Sequence, residues 1–140
     1  MSRILAIDYG RKRVGLAVTD PLEMIANGLE TVPTMNIWEF LKDYIPRQDV
    51  KTVVVGYPVQ MNNRPSESME YLKPFLKKFA RVFPDINVEL VDERFTSKMA
   101  MQAMIEGGMK KKQRRNKAMV DKISAVIILQ TYLDMQQRFN

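Results

Sequence analysis

The sequence predicts an α/β fold over residues 1–140: one domain built on a mixed five-stranded sheet with helices on both faces. Three observations lead there. Two branched apolar segments, 3–8 (RILAID) and 13–19 (RVGLAVT), flank the short turn Tyr9-Gly10-Arg11-Lys12, the pattern of an antiparallel hairpin. The run 52–57 (TVVVGY) is apolar without alternation, as in a strand covered on both faces. Helix-like and strand-like segments then alternate, which generates parallel βαβ units. A length of 140 residues fits a single domain at roughly 100–200 residues each.

In chain order, Gly10 is expected to supply a positive φ to the hairpin turn. A weaker third strand spans 28–34, with Pro33 placing its end at an edge or terminus. The segment 36–45 (NIWEFLKDYI) reads as a helix, opened by a capping box of Asn36 with Glu39 and stopped by Pro46. The strand 52–57 follows. A helix over 66–82 carries Met69, Leu72, Leu76 and Phe79 at helical spacing, and Pro74 inside it predicts a kink or a late start. Residues 87–92 (NVELVD) form another strand. Ser97 to Ile105 read as a helix closed by Gly107-Gly108, and a last helix spans about 116–136. Three antiparallel strands followed by βαβ units is the order of an RNase H-like domain.

Composition removes whole classes of chemistry. With Cys 0 and His 0, disulfides, thiolate zinc sites, cysteine nucleophiles, imidazole ligands and Ser-His-Asp catalysis are all excluded. Any enzyme chemistry must come from carboxylates, Lys, hydroxyls and a hard metal ion. The 22 basic against 16 acidic side chains leave a net charge of +6. That excess sits in one run, KKKQRRNK at 110–117, made by Lys110, Lys111, Lys112, Arg114, Arg115 and Lys117. A focused basic patch points to an anionic partner, nucleic acid first and a membrane surface second. Its other reading is a solvated linker before the last helix. No stretch approaches the roughly 18 apolar residues of a membrane span, and no signal-peptide pattern is present, so a cytoplasmic protein is expected.

Three places hold carboxylates of interest. Asp8 ends the first strand on the face of Ile4 and Ala6, as a turn cap or as a ligand at the sheet's edge. Asp92-Glu93-Arg94 lies where the strand 87–92 runs out, where sites collect in parallel sheets; alternation sends Asp92 and Glu93 to opposite faces, so one of them at most faces a site. Asp121 sits in AMVDKISAVIILQTYL, an apolar and therefore mostly buried helix, on a stripe with Ala125, Ile128 and Tyr132. A carboxylate there is costly unless it is paired, with Lys117 or Arg94, protonated or bound to a metal. Three converging acids would hold Mg²⁺ or Mn²⁺, the ions suited to oxygen ligands, and such sites hydrolyse phosphodiesters without His or Cys.

Four blocks now stand together: Asp8-Tyr9-Gly10-Arg11-Lys12-Arg13-Val14-Gly15-Leu16-Ala17 with Asp20; Gly56-Tyr57-Pro58 through Asn62; Asp92-Glu93-Arg94-Phe95-Thr96-Ser97; and Val120-Asp121 with Ser124-Ala125 and Ile128-Leu129-Gln130. In this order, across nearly the full chain, they resemble the YqgF (RuvX) family, known as Holliday-junction resolvases or pre-16S rRNA nucleases. The resemblance implies an RNase H-like nuclease dependent on Mg²⁺ or Mn²⁺, with Asp8, Glu93 and Asp121 as its catalytic and metal-binding acids. The strand 52–57 lacks the acid that RuvC-type resolvases carry on their fourth strand; the resemblance implies that the neighbouring Asp92-Glu93-Arg94 supplies the second ligand, through Glu93 with Asp92 as the alternative. The loop after Gly56-Tyr57-Pro58 reads Met61-Asn62-Asn63-Arg64 where the family has an acid or Asn followed by Gly; Asn63 tolerates the left-handed conformation.

Around those acids, Arg11, Lys12, Arg13, Asn62 and Arg94 are expected near substrate phosphates, with the 110–117 run holding backbone farther out. Tyr57 either stacks on a base or packs under its loop. The expected partner is nucleic acid, an rRNA precursor or branched DNA, and a symmetric resolvase would act as a homodimer. The leading function is processing of the 5′ end of pre-16S rRNA. The alternatives are junction resolution and a non-catalytic assembly factor that binds nucleic acid.

Overall fold

A computed structural model describes residues 2–22, 25–57, 68–92 and 117–139. Strands β1 (Arg3–Tyr9), β2 (Arg13–Thr19) and β3 (Ala26–Pro33) come first, followed by a 3₁₀ turn at Thr34–Asn36 and helix α1 (Ile37–Arg47). Strand β4 (Val50–Tyr57), helix α2 (Ser68–Val82), strand β5 (Asn87–Asp92) and helix α3 (Lys117–Phe139) complete the order. The sheet runs β3-β2-β1-β4-β5. β1 pairs antiparallel with β2 and β2 with β3, whereas β4 pairs parallel with both β1 and β5. The expected mixed sheet is therefore present, with Pro33 closing the edge strand β3. The expected helix at 97–105 and its Gly107-Gly108 stop lie outside the described residues.

β1 and β2 alternate between two cores. Leu5, Ile7, Val14, Leu16 and Val18 face α1 and α2, where they meet Ile37, Leu41, Leu72, Phe75 and Phe79. Ile4, Ala6 and Ala17 face α3 and meet Ala125, Ile128, Leu129 and Leu133. β4 divides in the same way, Val53 and Val55 to one side and Val54 to the other, which is why its sequence shows no alternation. The α3 side of β1 and β2 carries three small residues, Ala6, Gly15 and Ala17, and at Gly15 the helix backbone lies against the strand.

Local details differ from the expectation at three points. Gly10 does not adopt a left-handed φ; a Cβ there would come within 2.6 Å of the Arg13 carbonyl oxygen, so its role is close approach in a turn closed by Gly10 N–H donating to that carbonyl. Asn36 makes no side-chain cap, because the 3₁₀ turn feeds directly into α1 and the Ile37 N–H donates to Thr34 O. Pro46 does not stop α1, which runs on to Arg47; the turn away comes at Asp49, whose φ of 53° is the left-handed exit found after helices. Pro74 lies inside α2 on its exposed side, and the helix continues through it to Val82.

One buried polar contact pins the sheet. On the β2 side of β1, the Ile4 N–H donates to the Thr19 hydroxyl at 2.9 Å. Thr19 is fully buried.

Candidate active site

Asp8 stands opposite Gly15 in the β1–β2 ladder, so the two positions share the face that packs on α3. Gly15 has no side chain, and the backbone of Asp121 fills the space a Cβ would need. The Cβ position at Gly15 lies 3.1 Å from the Asp121 Cβ. With a cross-strand spacing of about 5 Å to Asp8, the two acids start within roughly 8 Å of each other, close enough to share one cation. Both side chains are half-buried. The helix stripe expected for Asp121 is present: Ala125 and Ile128 are buried against the sheet and Tyr132 packs beside them.

Asp121 is paired, and its partner is Arg13. Arg13 Nε donates to Asp121 Oδ2 at 2.8 Å, with the two side chains 37% and 24% exposed. The sequence suggested Lys117 or Arg94 as a partner and placed Arg13 among the phosphate contacts. Alternation along β2 held the missing signal, because Arg13 and Gly15 share parity and both therefore face α3.

The hairpin turn supplies the site's positive rim. Gly10, Arg11, Lys12, Arg13 and Asp121 line an open cleft of about 400 Å³. The turn is stapled from behind: Thr34 N–H donates to Lys12 O at 3.0 Å, and the Thr34 hydroxyl donates to Gly10 O at 2.7 Å. Arg11 and Lys12 are exposed, and the Arg11 guanidinium lies 5.2 Å from the Tyr71 ring centroid. On the other face of β1, Tyr9 stacks on Phe75 at 4.3 Å. Burial first, and then Tyr71 beside it, push the Tyr9 hydroxyl above its ordinary pKa.

The remaining expected residues divide clearly. Asp20 is a turn cap, its carboxylate accepting from Leu22 N–H at 3.2 Å and from Ile25 N–H at 2.8 Å. Val91 packs in the α3-side core, so Asp92 projects to the opposite face, where it is exposed; that placement argues against Asp92 as a companion of Asp8 and Asp121. Tyr57 is half-buried at the end of β4. Glu93, Arg94, Asn62 and residues 110–116 lie outside the described residues, and Lys117 is placed by its backbone alone. Among the described residues no three acids cluster, so the site's described part is the Asp8–Asp121 pair. No helix among them is long and apolar enough to cross a membrane.

A family model described as RuvX, Holliday junction resolvase, matches residues 2–135. The chain belongs to the RuvX family. Among curated RuvX relatives, one from Phocaeicola vulgatus is 57% identical over 98% of this chain and 99% of its own length. One from Porphyromonas gingivalis is 57% identical over 99% of this chain and all of its own, and one from Christiangramia forsetii is 58% identical over 95% and 98%. All three bear the name "Putative pre-16S rRNA nuclease". Among solved structures, Thermus thermophilus RuvC in complex with a Holliday junction substrate superposes with a TM-score of 0.58 at 21% identity, covering 96% of each chain. That likeness establishes the RNase H-like fold for this RuvX chain, and the sheet order with helices on both faces agrees with it.

Proposed function

We propose that this chain is a divalent-metal-dependent nuclease that hydrolyses phosphodiester bonds of structured nucleic acid in the cytoplasm, with the 5′ end of pre-16S rRNA as its substrate. The observation that carries the reading is the placement of Asp8 and Asp121 about Gly15, beneath a rim of Arg11, Lys12 and Arg13. Substrate identity rests on the RuvX relatives' names.

The donor set fits a hard cation: carboxylate oxygens only, in a chain with His 0 and Cys 0. Asp8 and Asp121 would hold it, with Glu93 as the third acid, the role that the family resemblance implies for it. When bound, Mg²⁺ or Mn²⁺ would lower the pKa of a coordinated water and stabilise charge on the leaving oxygen. The chain's own residues do the rest. Arg11 and Lys12 draw the phosphate backbone into the cleft, Gly15 keeps the floor between the acids open to the backbone of α3, and the Thr34 staple fixes the turn that carries the cations.

A second substrate, the four-way DNA junction, is favoured by the family model's description; cutting it symmetrically would require a homodimer. The experiment runs a labelled pre-16S rRNA 5′ end and a four-way junction side by side with Mn²⁺, Mg²⁺ or chelator, using wild type, Asp8→Asn and Asp121→Asn. Metal-dependent cutting lost in both variants is expected, and the substrate cut names the nucleic acid. Tight, salt-sensitive binding without cutting of either substrate would instead make the chain a non-catalytic assembly factor.

A further inference from the structure

One side chain is assigned two incompatible positions. Arg13 is aimed by its place on the cationic rim toward substrate phosphate, yet its Nε is committed to Asp121 Oδ2 at 2.8 Å. We propose that Arg13 is a resident counter-ion that holds Asp121 in the metal-free protein and that a divalent cation displaces when it binds there. The inference rests on the assignment of Asp121 as a metal ligand made above.

Geometry supports an exchange rather than a fixed strut. The contact uses one donor to one carboxylate oxygen, not the bidentate fork that makes arginine pairs strong. The side chains are 37% and 24% exposed, so a hydrated ion can reach the carboxylate and the pair is only weakly stabilising. Arg13 and Asp121 line the same open cleft, which gives the guanidinium room to swing without unpacking the core. A dication and a guanidinium repel at contact distance, so both cannot occupy the same face of one carboxylate. Once released, Arg13 brings five N–H donors to the cleft, where a phosphate oxygen is the natural acceptor. Metal and phosphate then reinforce each other's binding, and the coupling is reciprocal.

The test needs no turnover. Mn²⁺ binding is measured from the free-ion electron paramagnetic resonance signal, in the absence of nucleic acid, for wild type, Arg13→Gln and Asp121→Asn. Arg13→Gln is expected to bind Mn²⁺ about fivefold more tightly, the equilibrium equivalent of the ~1 kcal/mol upper end for a partly exposed ion pair. In parallel, the Arg13 Nε–H resonance of wild type is followed by nuclear magnetic resonance, assigned by its loss in Arg13→Gln or, if that variant does not fold, in Arg13→Lys. On saturation with Mg²⁺ it is expected to move to the position seen in Asp121→Asn. Unchanged or weaker Mn²⁺ binding in Arg13→Gln, or a resonance that Mg²⁺ leaves in place, overturns the counter-ion role while leaving the metal site standing. Mn²⁺ affinity unaltered by Asp121→Asn overturns the metal assignment, and this inference with it.

Discussion

Gly15 and Asp121 occupy the same space: the point where a side chain would begin on β2 is filled by the backbone carbonyl of Asp121 on α3. A residue in the hairpin thereby sets how closely the last helix approaches the sheet, and with it how near Asp121 comes to Asp8. Gly15→Ala must push the helix away. Overpacking of this kind costs about 1–3 kcal/mol, so the unfolding free energy read from a urea titration should fall by that amount. Wild-type stability for this variant would show that α3 does not sit so tightly on β2.

Asp121→Asn should separate chemistry from folding. The ion pair it breaks is partly exposed, so the stability loss should stay under about 1 kcal/mol, while metal-dependent cleavage disappears. Thermal unfolding alongside the cleavage assay checks both. A variant that unfolds outright would mean that Asp121 is structural first.

Thr19→Val keeps the shape of a buried side chain and removes the oxygen that accepts from Ile4 N–H. An orphaned buried donor costs about 1–3 kcal/mol. Thr19→Ser, which retains the hydroxyl, should recover most of that loss in the same urea titration.

Phe79, on α2, is 1% exposed in the core it shares with α1 and one face of the sheet, whereas Met35 is 88% exposed. Phe79→Ala should destabilise by about 3–5 kcal/mol, and Met35→Ala should change stability by less than about 0.5 kcal/mol. Equal effects would contradict the burial of Phe79 in that core.

Arg11→Ala and Lys12→Ala should weaken binding of any nucleic acid to a similar degree whatever its sequence. Each should also lower the slope of log affinity against log salt by roughly one for every phosphate contact removed. A filter-binding series from low to moderate salt reads this out. An unchanged slope would place the phosphates elsewhere.

Much of the fold was legible because burial leaves a local mark. The branched runs 3–8 and 13–19, the unalternating TVVVGY and the stripe Asp121-Ala125-Ile128 each record which faces are covered, and the structure covers those faces. Helix ends were less legible. Asn36-Glu39 and Pro46 are ordinary start and stop signals, but the 3₁₀ turn ahead of α1 and the left-handed Asp49 behind it took over both tasks. Gly10 was marked correctly as a turn residue for the wrong reason, since crowding against a carbonyl leaves no signature in a single sequence.

By itself, the sequence determined the order of the described strands and helices and the exclusion of imidazole and thiol chemistry, and it singled out Asp8, Glu93 and Asp121 as candidate acids. These are properties of composition and of short-range periodicity, which each segment carries alone. Only the tertiary structure decided that Arg13 closes on Asp121 across 108 residues of chain, that Asp20 serves a turn, and that Asp92 turns away from the other two acids. Such pairings depend on how far α3 stands from the sheet, and that distance is set by Ala6, Gly15 and Ala17 together, small side chains from two strands that only packing brings under one helix.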